Sequence, residues 1–451
     1  RLVGPAEFGL VALAMTFVVL SIYLADAGMG QSLVRTPLAK TTIWSTAFWT
    51  IAGFGVVLAL ALAAAAWPVA VLFHEPRLFL IVSALAAVPL LVSLLAAPTA
   101  EMQQRRRFRE LALFDCLGAI AGVTTAIALA LSGAGAWALV AQQISFWLVK
   151  AALIAARTRF RPRFLWRREG LDEHVLFARD TVGSTLLYFV SRQIDPLVIG
   201  KVLGAAPLGL YAFAARMMIL PQQRVGTPLQ NAMYVKMVEL RDDKPALRQL
   251  YLILTGMTAM CVFPGVAMLA AASHAYFSFF LSDAWRGAAT VFMWLSPFAA
   301  LGTVTCPSFA LLNATGRTAA RVRQYFELAV LWVIALPISA HFGIVTVAAT
   351  FSAVQLAYLP RALQLTLPSA ECSTAAYLRV LVAPTLAALA LFLTHLWLKA
   401  ALRPTPVEEI GASLAELAVL YAALAWSLRT RLHANFTALS ALVRKGAPAP
   451  A

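Results

Sequence analysis

The chain is written in long apolar runs broken by short polar stretches, and the runs have the length of membrane spans rather than of core elements. A helix that crosses a bilayer needs roughly 20 mostly apolar residues. Thirteen segments meet that test, at about 8–32, 43–73, 78–100, 111–132, 136–156, 176–200, 208–235, 249–272, 288–313, 324–341, 344–366, 375–398 and 411–428. The connections between them are short and leave no room for a sizeable soluble domain. The pattern predicts an all-α polytopic membrane protein, because a helix satisfies its own backbone polar groups in lipid.

The pattern also repeats. LVGPAEFGLVALA (Leu2–Ala14) returns as VLGAAPLGLYAFA (Val202–Ala214), with Gly4 aligned to Gly204 and Gly9-Leu10 to Gly209-Leu210. A cation precedes each copy, Arg1 and Lys201. Spaced glycines at one long offset favour a duplicated half over chance similarity. The second copy follows an apolar segment at about 176–200, so the repeat predicts a further helix ahead of Arg1. Thirteen of fourteen helices are then present, laid out as six plus six plus two. Because six is even, the two six-helix bundles enter the membrane in the same direction, related by a pseudo-two-fold axis along the membrane normal. Residues 1–156 read as the first bundle (helices 2–6) and 157–174 as an Arg-rich linker. Residues 175–368 form the second bundle (helices 7–12), 369–430 the last two helices, and 431–451 a tail.

Composition agrees with this reading and removes one alternative. Of 451 residues, 61% are hydrophobic and 12% charged, and the mean hydropathy is +0.80. A soluble protein has roughly 45–50% apolar and about 25% charged residues. A net charge of +16 would suggest nucleic acid in a soluble chain. Here the cations sort into alternate loops: Arg35 and Lys40, Arg105–Arg109, Arg157–Arg168, Lys236–Arg248, Arg317–Arg323, Arg361 and the tail. The opposite loops hold Arg1, Arg77, Lys201, Arg286, Lys399 and Arg403. Cation-rich loops face the cytoplasm, which puts the C-terminus inside and expects no nucleic-acid partner. Cys116, Cys261, Cys306 and Cys372 form neither metal spacing nor a disulfide framework, so no metal site is expected. Trp67, Trp137, Trp166, Trp285, Trp397 and Trp426 lie near span ends, as interfacial anchors do.

Ionisable groups inside spans carry the candidate chemistry. A charge at the bilayer centre costs roughly 2.5–3.5 kcal/mol, so such groups should face a partner or water. Lys150, Arg179, Asp180 and Arg379 can snorkel from span ends. Arg192 and Asp195 are three apart on one helix face, and Arg216 and Arg224 are eight apart on the next helix. Between the latter lies Pro221-Gln222-Gln223, which adds polar side chains and a kink. Arginine's planar fork suits phosphate, so Arg192, Arg216 and Arg224 form a candidate phosphate or diphosphate site; ion pairing between helices is the alternative. Asp26, in LADAGMGQ, stays open between pairing with a cavity arginine, binding a proton or cation, and capping backbone. Asp26, Asp195, Gln222 and Gln223 are candidate cavity or ion-coupling groups, with proton and sodium both open and no cofactor expected. Asp115 and Glu327 follow the RRRFRE and GRTAARVRQ loops and are candidates for gate salt bridges to those arginines.

RLVGPAEFGLVALAMTFVVLSIYLADAGMGQSLVR resembles the start of lipid-linked oligosaccharide flippases of the polysaccharide transporter family (Wzx-type). RQIDPLVIGKVLGAAPLGLYAFAARMMILPQQ resembles the same family's second-half signature. The family sits in a superfamily with multidrug extruders and the peptidoglycan lipid flippase. The resemblance implies a V-shaped pair of bundles that moves an undecaprenyl-diphosphate-linked oligosaccharide from the inner to the outer leaflet of the bacterial inner membrane by alternating access. The exported product would be exopolysaccharide, capsule or O-antigen. It further implies a lateral groove for the lipid tail beside the last two helices, a diphosphate met by Arg192, Arg216 and Arg224, and polymerase and chain-length-regulator partners. The absent first helix is the departure from the pattern.

A multidrug antiporter on the same scaffold would need carboxylates for organic cations, whereas this cavity reads cationic. A polysaccharide polymerase or ligase would need a large outer loop. The longest here, about 273–287 and 399–410, are short, with His274 and Asp283 as surface residues of the first. A major-facilitator transporter would carry a Gly-Asp-Arg-rich loop where this chain has RTPLAK. A transporter, not an enzyme, is expected.

Overall fold

Among the described residues, ten helical stretches are long and apolar enough to cross a membrane, from Pro5–Ala25 to Thr374–Leu402. The computed structural model describes residues 2–26, 33, 34, 36, 41–164, 189 and 193–427. Outward sides are apolar as well as packed ones: Leu60, Trp67, Leu131, Ile338 and Trp397 are all more than half exposed. A continuous apolar exterior of this kind belongs in lipid.

The chain divides into two units, Leu2–Gly209 and Leu210–Ala451. The first holds α1 (Pro5–Asp26), α2 (Thr41–Phe73), α3 (Arg77–Leu85), α4 (Ala87–Gln104), α5 (Phe108–Leu131), α6 (Ala136–Arg157) and α7 (193–202). Proline opens α1, where its missing N–H has no helical partner to lose. α1 packs on α2, α3 and α4, α4 packs on α2 and α6, and α5 lies along α6.

α8 (Ala205–Pro221) begins at the end of this unit. There the two copies of the repeat meet. A Cβ added to Gly9 would stand 1.8 Å from the carbonyl oxygen of Ala205, and one added to Gly209 would stand 1.8 Å from that of Pro5. Each partner is the residue one turn before the other glycine. Small residues one turn apart let two helix backbones touch, so the repeated glycine is required by this reciprocal crossing.

The second unit continues through a π turn (Gln222–Gly226) into α9 (Thr227–Glu239), α10 (Lys244–Ala271) and the short α11 (Ser273–Phe280). α12 (Arg286–Ala314), α13 (Thr318–Ala340), α14 (Ile344–Thr366), α15 (Thr374–Leu402) and α16 (Pro406–Ser427) follow. Asp243 and Ser373 accept N–H groups from Ala246 and Ala376 at 3.1 and 3.2 Å, capping α10 and α15. At the core, fully buried Tyr251 of α10 shares a 2.8 Å hydrogen bond with Ser308 of α12 and stacks on Tyr377 of α15 at 5.9 Å.

Both units repeat one three-helix plan. α6 packs on α5 and α4, and α14 packs on α13 and α12. Glycine at positive φ precedes α6 (Gly135, φ 55°) and α14 (Gly343, φ 101°), as a left-handed turn requires.

The segment 208–235 runs through α8, a π turn and α9 as one continuous helical path, the π turn following Pro221, which has no N–H to continue the ladder. One expectation changes. Trp285 is 3% exposed and packs on Phe213 at 5.0 Å, so it is a core residue rather than an interfacial anchor. Trp67, Trp137, Trp397 and Trp426 are exposed.

Candidate functional site

Arg216 lies on α8 and Arg224 in the π turn that follows; both are exposed, and among the described residues neither forms an ion pair. The apolar neighbours of this segment hold it down. Met218 and Val225 pack on Val262 and Val266 of α10 and Ala299 of α12. Gly226 lies so close to α12 that a Cβ there would meet Cys306 Sγ at 2.9 Å and Thr303 Cγ2 at 3.2 Å. In an unbroken α-helix, residues eight apart would sit about 80° apart around the axis. The π turn inserted between them shifts that phase, so the straight-helix spacing does not describe the pair. Gln222 is half-buried and Gln223 exposed.

On the other side of the α10–α12 wall lies a groove of about 770 Å³ lined by α10, α12, α14 and α15. Val266 belongs both to the groove wall and to the cluster that anchors Val225. Of the lining side chains only Trp294, Ser296 and Thr385 carry a polar atom. α12 is interrupted along this wall at Pro297. Ser352 of α14 inserts into its hydrogen-bond ladder, donating to Trp294 O at 2.6 Å and accepting from Phe298 N–H at 3.3 Å. Such a surface can hold a hydrocarbon chain by dispersion contacts. It gains no hydrophobic free energy from doing so, since lipid tails are equally apolar.

Of the remaining predicted residues, Asp195 lies half-buried on α7. Arg192 and the side chain of Asp26 lie outside the described residues. Glu327 pairs with Arg323, which lies one turn earlier on the same helix α13 rather than in the preceding loop: Arg323 Nε donates at 2.8 Å. It also accepts from Tyr358 Oη at 2.8 Å and from Arg361 of α14 at 3.1 and 3.2 Å. Asp115 does not meet the loop arginines. It sits two turns into α5 and pairs with Lys150 Nζ of α6 at 2.5 Å, so Lys150 is a partnered cation rather than a snorkelling one. The loop arginines are engaged elsewhere, Arg105 on buried Glu101 and Arg107 on Glu110 at 2.6 Å.

Three arrangements were not foreseen from the sequence. Arg77 of α3 forks onto Glu7 of α1 with two 2.7 Å bonds, and the first N–H of α6, from Ala136, donates to the same carboxylate at 2.8 Å. Glu101 is 2% exposed and takes the Thr158 hydroxyl at 3.0 Å as well as Arg105. His395, Lys399, Glu409 and Glu416 form a buried polar cluster between α15 and α16. Only the last carried a sequence signal, a His-x-x-x-Lys pair in an apolar run facing a second run with Glu at 409 and 416.

An apolar groove beside an arginine-bearing segment, on a scaffold of duplicated three-helix units, marks a polytopic helical membrane protein. A solved structure of the lipid II flippase MurJ, inward closed conformation, shares that fold with a TM-score of 0.72 over 94% of each chain, at 11% identity. Residues 1–290 match the model of the polysaccharide biosynthesis protein family, and the chain belongs to that family. It is 28% identical over 58% of its length to the succinoglycan biosynthesis transport protein ExoT of Rhizobium meliloti, covering 53% of that protein. It is 20% identical over 70% of its length to the lipopolysaccharide biosynthesis protein WzxC of Escherichia coli, covering 65%. With the teichuronic acid biosynthesis protein TuaB of Bacillus subtilis it shares 23% over 65% of its length, covering 61%. The chain thus spans about half to two thirds of these relatives.

Proposed function

We propose that this protein moves a polysaccharide precursor, an oligosaccharide joined by a diphosphate to a long prenyl chain, from the inner to the outer leaflet of a bacterial inner membrane. The carrying observation is the combination of two exposed arginines that form no ion pair among the described residues, Arg216 and Arg224, with an almost wholly apolar groove across the same α10–α12 wall. The chemistry of the substrate divides in the same way: a dianionic link needs cations out of lipid, and a hydrocarbon tail needs only an apolar track. Charge-assisted hydrogen bonds contribute about 1.5–3 kcal/mol each, enough for two guanidinium forks to offset much of the cost of drawing a diphosphate from water. The tail stays beside α15 while the headgroup changes sides.

Two six-helix bundles with a pseudo-two-fold axis along the membrane normal, and a fourteen-helix layout, are the architecture this reading requires. Alternating access follows if the two access states hold the headgroup with different affinity or an ion gradient biases them. The relatives' names, succinoglycan transport and lipopolysaccharide and teichuronic acid biosynthesis, support an export pathway. A polymerase and a chain-length regulator are the expected pathway partners.

The test is polysaccharide export by the full-length protein in cells lacking it. Arg216→Ala and Arg224→Ala should each abolish export while membrane insertion stays at the unsubstituted level. Arg→Lys at each site should restore it in part, since lysine keeps the charge but not the fork. Normal export by the Arg216→Ala/Arg224→Ala double variant refutes the diphosphate site.

A further inference from the structure

A second polar site lies at the far end of the groove-lining helix. His395 is one turn beyond Phe392, the last groove residue of α15, and is 2% exposed. Its Nδ1 is 3.3 Å from both carboxylate oxygens of Glu416 on α16. Its Nε2 is buried without a hydrogen-bond partner among the described residues, and the nearest anion, Glu409 Oε1, is 3.6 Å away. Lys399 Nζ holds that same Oε1 at 2.6 Å. These groups line a cavity of about 260 Å³ between α15 and α16.

Charge counting shows what is missing. Glu409 and Glu416, 6% and 15% exposed, bring two negative charges and Lys399 brings one positive. With a neutral imidazole the cluster keeps an uncompensated buried charge, which is expensive in a low-dielectric interior. Geometry agrees. If Nδ1–H donates to Glu416, a neutral ring turns the bare Nε2 lone pair toward a carboxylate. One added proton makes both ring nitrogens donors, each facing an anion.

We propose that His395, Glu409 and Glu416 form a proton-binding site, and that the bound proton fastens α16 to α15 beside the groove. Other groups facing the site are few. α11 contributes His274, whose imidazole is held below its usual value by partial burial and by the Lys399 ammonium, against the pull of Glu409. Tyr276 of α11 shares a 3.0 Å bond with Ser413 of α16. α10 faces α16 with Cys261, whose carbonyl accepts Tyr421 Oη at 2.8 Å. Exposed Glu408 is tied to Thr405 N–H at 2.8 Å and serves the start of α16. The proton site stands without transport. Its consequence for transport, that protonation sets how freely α15 opens the groove to a lipid tail, rests on the proposed function.

The experiment uses full-length protein in lipid nanodiscs with ¹⁵N-labelled histidine, titrated from acid to alkaline pH. The His395 signals are those lost in His395→Gln. Both ring nitrogens should respond together to pH, and Glu416→Gln should alter that response by removing the imidazolium's partner. Backbone amides of α16 should exchange more slowly in the protonated state, a difference that disappears in His395→Gln. Signals that do not move with pH, a pH response unchanged in both Glu416→Gln and Glu409→Gln, or a response to sodium alone at fixed pH would each overturn the site. None of these readouts needs a transported substrate, so failure of the proton site and failure of the flippase reading remain distinguishable.

Discussion

Replacing Gly9 or Gly209 by alanine should break the contact that the internal repeat builds. At each position the new Cβ would stand 1.8 Å from a backbone carbonyl oxygen, where ordinary van der Waals contact starts at 3.4 Å. The obstructing atom is main chain in both cases, so no side-chain rotation relieves it and the helices themselves must part. Overpacking of this sort costs typically 1–3 kcal/mol, and a rigid obstruction points to about 3. The two substitutions strain one crossing, so the double variant should lose less than the two single losses added together. Gly53 supplies the control. It lies in α2 with open space around its Cβ position, and there alanine should stabilise by about 0.5–1 kcal/mol through helix propensity. Reversible unfolding of the full-length protein in mixed micelles reads all four variants. Gly9→Ala and Gly209→Ala both within about 0.5 kcal/mol of the unsubstituted protein, the scatter of neutral changes, would refute the crossing.

Other outcomes follow from the same geometry. Filling the groove with Thr385→Trp, or placing a charge in it with Leu386→Arg, should abolish export while leaving insertion intact, measured by cell-surface polysaccharide and membrane fractionation. A double-mutant cycle on Asp115 and Lys150 should return a coupling of about 1 kcal/mol or less, because Asp115 is half exposed. Glu327→Gln should destabilise by about 1–3 kcal/mol, since it leaves the Arg323 and Arg361 guanidiniums converging without an anion. Tyr251→Phe should cost about 1 kcal/mol in the same unfolding assay by stranding the buried Ser308 hydroxyl.

Hydropathy reads most of the described spans because lipid demands long apolar helices, and what it does not show at 208–235 is the π turn that follows Pro221. The repeat was legible through its glycines, whose spacing records a backbone contact that tolerates no side chain. Arg216 and Arg224 stood out because charge is costly in a span, and they lie exposed and unpaired among the described residues. Partner choice was less legible. Asp115 follows an arginine-rich loop in sequence, yet its place two turns into α5 turns it toward Lys150 on the neighbouring helix. The Glu7–Arg77–Ala136 junction joins residues far apart in the chain, and no local pattern marks it. The groove was invisible for a different reason: leucines and alanines that line it are the same residues that face lipid, and only packing separates the two.

The most direct test is headgroup movement in a defined membrane. Purified full-length protein would be reconstituted in vesicles carrying a fluorescent prenyl-diphosphate-linked oligosaccharide, with leaflet location read by a membrane-impermeant glycosidase. The account predicts that cleavage rises from the outer-leaflet fraction toward completion with the unsubstituted protein, and stays at that fraction with Arg216→Ala/Arg224→Ala. Cleavage that never exceeds the outer-leaflet fraction with the unsubstituted protein, or that rises equally with the double variant, would contradict it.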